Sequence, residues 1–135
     1  MKIIGTVERS KTGYYSIYPD KGILNYSPFG YGNNMQEAKD DFLVAIDECR
    51  QGIIEEGKEL PKECETIEVE YRYAISTIFE AFSFLNISQF AKFAGINESK
   101  MRQYTSGLCD PGVKASKKIA EAMKTIGNSL LAAVI

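Results

Sequence analysis

The sequence predicts an α+β protein, with a β-β-β-α-β unit over residues 1–73 followed by an all-helical unit over residues 74–135. Three observations carry this expectation. Short β-branched and aromatic runs separated by turn signals fill the first 32 residues. The apolar period then changes from two to 3.6 over residues 35–56 and returns to two at TIEVEYRY. From residue 74 to residue 127 the spacing is helical again, punctuated by glycines.

Each element has its own local reason. KIIGTVERS and GYYSIYP flank the turn signal SKTG, so residues 2–18 read as a hairpin. After the turn PDKG, ILNYSPFGYG reads as a third extended run, edged by Pro28 because proline cannot donate to a ladder. Met35, Ala38, Phe42, Ala45, Ile46, Cys49 and Ile53 make the apolar stripe of a long helix. Asn34 and Glu37 form a capping-box pattern at its start, and Gly57 stops it before Pro61. Ile67, Val69, Tyr71 and Tyr73 alternate with Glu68, Glu70 and Arg72, the signature of a half-buried strand.

In the second unit, Ile75, Ile78, Phe79, Phe82 and Leu85 make one stripe of a helix over 74–85, widened by Ala81 and Phe84. DPGVKASKKIAEAMKTIG reads as a helix with Ile119, Ala120, Met123 and Ile126 inward, lysines outward and Gly127 as terminator. SLLAAVI fits either a short strand or a buried tail.

Composition narrows the chemistry. An apolar fraction of 44% and a charged fraction of 25% are ordinary for a folded soluble protein. No run approaches the roughly 20 apolar residues of a membrane span. MKIIGTVERS has no apolar signal core, so the expected setting is cytoplasmic, with no membrane partner. Cys49, Cys64 and Cys109 have neither zinc spacing nor an even count, and read as reduced thiols in or near the core. The absence of histidine removes Ser-His and Cys-His nucleophiles and most transition-metal sites. Residues 1–72 carry nine Lys and Arg against fourteen Asp and Glu, net −5, whereas residues 73–135 carry seven against four, net +3. Such polarity suggests a different partner for each end.

The stretch SQFAKFAGINESKMRQYTSG has the requirements of two helices meeting at a sharp turn. Ala91 is small, Gly95 tolerates positive φ, and Ile96, Met101 and Tyr104 face inward. Asn86 with Gln89 caps the first helix and Asn97 the second. Glu98, Ser99, Arg102 and Gln103 then face outward with Lys100 on the flank. Ser99, Lys100, Arg102 and Gln103 are the candidate DNA-binding residues, because Arg and Gln can read base edges and Ser and Lys suit phosphates. The plainer reading is a small helical bundle with a glycine turn.

RQYTSG, followed by DPG and KKIAEAMKTIG, resembles the repressor-type helix-turn-helix family. GYYSIYPDKG at 13–22 and GNNMQEA at 32–38 resemble the G-Y-Y-x-x-x-P-D-x-x-G and G-x-T-x-x-E-A segments of the HicB antitoxin family. Lys21 and Gly22 close the turn one residue early, and Asn34 stands where the family has a capping Thr. The resemblance implies an incomplete RNase H-like domain before a DNA-binding and dimerisation domain. It further implies an antitoxin that blocks a small, basic, HicA-like, RNA-cleaving toxin and represses its own operon by binding operator DNA as a homodimer or higher homo-oligomer. Tyr14, Tyr15, Tyr18, Asp20 and Tyr31 are the candidate toxin-binding residues, since aromatics anchor interfaces and these cluster on turns and strand ends.

Other functions have weaker support. A magnesium nuclease needs converging carboxylates, but Glu8 and Asp20 stand at or near turns, and Asp40, Asp41, Asp47 and Glu48 belong to a helix face that is charged anyway. GYGNN lacks the third glycine and the lysine of a phosphate loop. The expectation is no catalytic residues, no metal and no cofactor. The alternative of a different class is a transcription regulator whose first domain senses a small ligand.

Overall fold

Ile3, Gly5 and Val7 alternate toward one side of the first strand, and that side became the core. The computed structural model describes all residues, Met1–Ile135. The chain is α+β, with a four-stranded mixed sheet and five α-helices, and divides into compact units Met1–Thr77 and Ile78–Ile135.

In the first unit, β1 (Lys2–Arg9) pairs antiparallel with β2 (Tyr15–Pro19), and β2 pairs antiparallel with β3 (Gly30–Gly32). The helix α1 (Met35–Glu55) and a 3-10 turn (Lys62–Cys64) lead to β4 (Glu68–Tyr73), which lies parallel to β1. The order is β3-β2-β1-β4. Ile3, Val7, Ile17 and Ile23 pack with Ala38, Phe42, Ile46, Cys49 and Ile53 of α1. Burying such a side chain stabilises the fold by about 1.5–3 kcal/mol. Val69, Tyr71 and Tyr73 pair in register with Ile3, Gly5 and Val7 and pack against the same core.

β3 lies directly against the start of α1. A Cβ on Gly30 would stand 2.4 Å from the Ala38 carbonyl oxygen and 2.7 Å from Phe42 Cβ, so only glycine permits this approach. The Asn34 side chain accepts from the Glu37 N–H at 2.8 Å while Glu37 Oε2 accepts from the Asn33 N–H at 2.8 Å. The cap is thus reciprocal, with the return bond displaced by one residue.

The third extended run is much shorter than its composition predicts. Ile23 and Tyr26 instead close a tight turn, each N–H donating to the other's carbonyl at 2.8 and 3.0 Å, with Leu24 at φ 54°. Pro28, buried and without an N–H, keeps the run from joining the sheet before Gly30. The first unit also runs four residues past Tyr73. The Ala74 N–H donates to the Val7 carbonyl at 3.2 Å, and Thr77 is buried with its hydroxyl on the Ala74 carbonyl at 2.7 Å.

The helix expected over 74–85 is shorter, α2 spanning Ile75–Ala81. Asn86 must be extended to cap the next helix, so the chain unwinds before it, and Phe84 is exposed rather than part of a buried face. Phe79 meets Phe90 edge to face at 5.1 Å. The helices α3 (Ile87–Ala94), α4 (Glu98–Ser106) and α5 (Val113–Ala132) enclose Phe90, Ala91, Met101, Ile119 and Ala122.

Three expectations for α5 fail. Gly127 does not terminate it; helical φ is open to glycine at a cost of about 1 kcal/mol, which the good helix formers around it offset. SLLAAVI is therefore neither strand nor buried tail, because the helix continues through it to Ala132 with its leucines exposed. Ala120 faces outward and Ala122 takes the inward position, three residues after Ile119.

Candidate functional site

The corner between α3 and α4 is built by one backbone requirement. Gly95 has φ +72°, its N–H donates to the Lys92 carbonyl at 3.3 Å, and the Ile96 N–H donates to Ala91 at 2.9 Å. A Cβ there would meet nothing within 4 Å, so the left-handed backbone, not space, demands glycine. Asn86 Oδ1 accepts from the Gln89 N–H at 3.0 Å and Asn97 Oδ1 from the Lys100 N–H at 3.2 Å, satisfying one orphan donor of each helix. Met101 is fully buried, which fixes the rotation of α4 and turns Ser99, Lys100 and Arg102 to the surface.

Arg102 is not a free cation. Its guanidinium donates to Glu98 Oε1 at 3.0 Å, one turn back on α4. The Glu98 carboxyl lies below its ordinary value, chiefly through a hydrogen bond from Ser88 on α3 and then through Arg102. Gln103 departs from the expected outward position. It is half-buried, its Oε1 accepting from the Cys109 thiol at 3.6 Å and its carbonyl from the Leu108 N–H at 3.0 Å. The left-handed Gly107 turns the following loop back over it.

Beside this corner lies an open groove of about 390 Å³ lined by Asn97, Lys100, Tyr104, Gly112, Lys114 and Lys118. The first turns of α4 and α5 both border it, and α5 has no side-chain cap and no acidic residue there. Unpaired N–H groups at a helix start attract anions, and the three lysines act in the same direction. Lys118 Nζ also donates to the Gly95 carbonyl at 3.3 Å, tying the groove to the turn. Lys114 and Lys118 escaped the sequence reading because K-A-S-K-K reads simply as a solvated helix face; only the packing of α5 against α3 brings them beside Lys100.

The candidate residues of the first unit divide. Tyr18 pairs with Thr6, and Tyr31 with Ser16, so both lie on the sheet face opposite α1, together with Glu8. Both rings are exposed, and the Tyr18 hydroxyl donates to Glu8 Oε1 at 2.8 Å, which raises its pKa above the ordinary value. Tyr14 is exposed just before β2. Tyr15 belongs elsewhere: it pairs with Arg9 and Gly32 on the helix side and packs against the core. Asp20 is occupied in the fold, since the Ile4 N–H donates to Asp20 Oδ1 at 2.9 Å and the Asp20 N–H to the Ile4 carbonyl at 2.9 Å.

A second surface of this unit was missed from sequence. Leu43, Val44 and Ile54 are exposed on the outer side of α1, where Val44, Asp47, Glu48, Gln51 and Glu55 line a shallow groove. Their only signal was that they fall off the helix's three-and-four spacing. Lys39, by contrast, is spent internally, donating to the Tyr73 hydroxyl at 2.7 Å and standing 4.6 Å from the Tyr71 ring centre.

Cys49 and Cys64 are buried free thiols and Cys109 is partly exposed. No three His, Cys, Asp or Glu side chains stand together as a metal site, and no helix is long and apolar enough to cross a membrane. In comparisons with known proteins, no family model, curated protein or solved structure matches this chain.

Proposed function

We propose that this chain is an antitoxin of the HicB type, neutralising a small, basic, HicA-like RNA-cleaving toxin with its first unit and repressing its own operon with its second. On this reading the first unit is a partial RNase H-like domain and α3–Gly95–α4 is a helix-turn-helix whose second helix enters the major groove. The observation that carries the reading is the corner at Gly95. It turns Ser99, Lys100 and Arg102 outward, next to a lysine-lined groove bordered by two helix N-termini. Ser99 and Arg102 are the proposed groove-facing residues, and Lys100, Lys114 and Lys118 the phosphate contacts. Gln103 contributes from the edge of α4 only if its bond with Cys109 opens.

The opposite charge of the first unit supports a basic protein partner, because complementary potentials speed encounter and suppress wrong partners. Tyr18 and Tyr31, exposed on the sheet face opposite α1, and Tyr14, exposed just before β2, offer the aromatic anchors such an interface uses. Close packing of Gly30 and Gly32 against α1 favours this over a ligand-sensing pocket between sheet and helix.

Co-expression of the chain with the product of the neighbouring gene tests the reading. A stable complex that suppresses RNA cleavage, weakened at least tenfold by Tyr18→Ala with Tyr31→Ala and untouched by Arg102→Ala, is the expected result. A neighbour that neither binds nor cleaves RNA removes the antitoxin half.

A further inference from the structure

The sheet of the first unit has two unlike edges. β3 forms one of them with three residues, two of them glycine, behind the buried Pro28. β4 forms the other with six residues, neither proline nor glycine among them, paired with β1 in unbroken register from Glu68 to Tyr73 and with no strand on its far side. Sheet edges in soluble proteins are normally shortened, bulged or interrupted by proline, since an open ladder recruits further strands. β4 carries none of these devices.

Two hydrogen bonds show which backbone groups are open. The Glu68 N–H donates to the Met1 carbonyl at 2.9 Å, and the Ala74 N–H to the Val7 carbonyl at 3.2 Å. Because the direction of N–H and C=O alternates along a strand, Glu68, Glu70 and Arg72 are spent on β1, and Val69 and Tyr71 aim theirs at the open edge. The cover beside this edge is also incomplete. Ile3, Val7 and Ile17 are fully buried, whereas Val69, Tyr71 and Tyr73 on the same side of the sheet are half-buried. Over those two tyrosines α1 lays the ammonium of Lys39, 4.6 and 5.1 Å from the ring centres, in place of an apolar side chain.

Charge selects the strand that fits. Residues 59–70 hold five glutamates against one lysine, net −4. Glu68 and Glu70 are exposed on the face opposite α1, and Glu70 is held by Lys2 at 2.8 Å. Arg72 pairs with Thr6, and Thr6 with Tyr18, so the charged side of β4 and the exposed tyrosines share one face. A strand laid on β4 would set lysine or arginine beside Glu68 and Glu70, and apolar residues beside Val69 and Tyr71. A second copy of the chain would instead bring the same negative segment to the joint.

We propose that β4 is a docking edge, to which a basic partner protein adds an extended segment alternating lysine or arginine with apolar residues. The main chain of Val69 and Tyr71 supplies the hydrogen bonds, and Glu68 and Glu70 supply the selection. Strand addition brings the partner beside the face that carries Tyr18 and Tyr31, so edge and tyrosines act as one surface. That the partner is the toxin rests on the antitoxin reading; the open edge itself does not.

Amide hydrogen exchange of the full chain, followed by NMR, tests it with a capped peptide that alternates lysine and valine. At saturating peptide the Val69 and Tyr71 amides should slow about tenfold, while those of Glu68 and Glu70, already bonded to β1, change less. Val69→Pro removes an outward N–H and no bond to β1, and should weaken peptide binding about tenfold. A glutamate-valine peptide should not bind. Should Val69→Pro unfold, two forms of the lysine peptide, N-methylated at the valines or at the lysines, decide the matter on the unaltered chain, since one should lose binding and the other keep it. Absence of peptide binding, binding that leaves Val69 and Tyr71 fast, equal binding of the glutamate peptide or of both N-methylated forms, or slowing of these amides by the chain's own concentration would overturn the proposal. With the neighbouring gene's product in place of the peptide, a complex that leaves both amides fast retires strand addition alone. A peptide complex without a neighbour complex retires the antitoxin half alone.

Discussion

Glu98 and Arg102 hold each other across one turn of α4, the guanidinium 3.0 Å from the carboxylate, on the face proposed to meet DNA. The pair is exposed and contributes little to stability. On the proposed reading its effect lies in binding. Glu98 repels phosphates and occupies the one arginine of the corner. Glu98→Gln should therefore tighten DNA binding by about three- to tenfold, with the melting temperature lowered by no more than a few degrees. Fluorescence anisotropy with promoter DNA measures the first and circular dichroism the second.

Gly95 and Gly30 are both required, for different reasons, and alanine separates them. Gly95→Ala forces a side chain into φ +72° with free space around it, a purely conformational cost of about 1–2 kcal/mol. Gly30→Ala drives a methyl group onto the Ala38 carbonyl and Phe42, and should cost about 3 kcal/mol or more because both neighbours are buried backbone or core. Urea unfolding of the two variants should show the larger loss at Gly30; equal losses would contradict the close approach of β3 to α1.

Tyr26 and Glu56 form a hydrogen bond that makes stability depend on pH at both ends. The tyrosine hydroxyl donates to the carboxylate, lowering Glu56 and raising Tyr26 from their ordinary values of 4.5 and 10.0. For Glu56 the contribution is present above 4.5 and disappears as pH falls through the depressed folded value. For Tyr26 it is present below 10.0 and disappears as pH rises through the elevated folded value. Tyr26→Phe should flatten both limbs of a stability-against-pH curve and leave its middle lower. Because the pair is exposed, the effect should also shrink in high salt.

Where local chemistry decided a feature, the sequence was sufficient. The three-and-four spacing of Phe42, Ile46, Cys49 and Ile53, the capping Asn34, Asn86 and Asn97, and the turn at Gly95 all act through near neighbours. What escaped depends on the fold bringing distant groups together. Asp20 looked free in a turn until β1 supplied the Ile4 N–H, and Tyr15 looked like its exposed neighbours until register turned it inward. Gln103 is captured by a thiol six residues away in the following loop. Gly127 misled for the opposite reason: its helix continues despite it, and no partner for it exists within the chain.

Binding of the purified chain to the DNA upstream of its own gene, measured across a salt series, bears most directly on the role assigned to the basic corner. Log affinity should fall linearly with log salt, and replacing Lys100, Lys114 and Lys118 together by alanine should reduce that slope by about 0.9 for each phosphate no longer neutralised. Arg102→Ala should abolish preference for that DNA over unrelated duplex. Full affinity and an unchanged slope in these variants, or no preference in the parent chain, would contradict it.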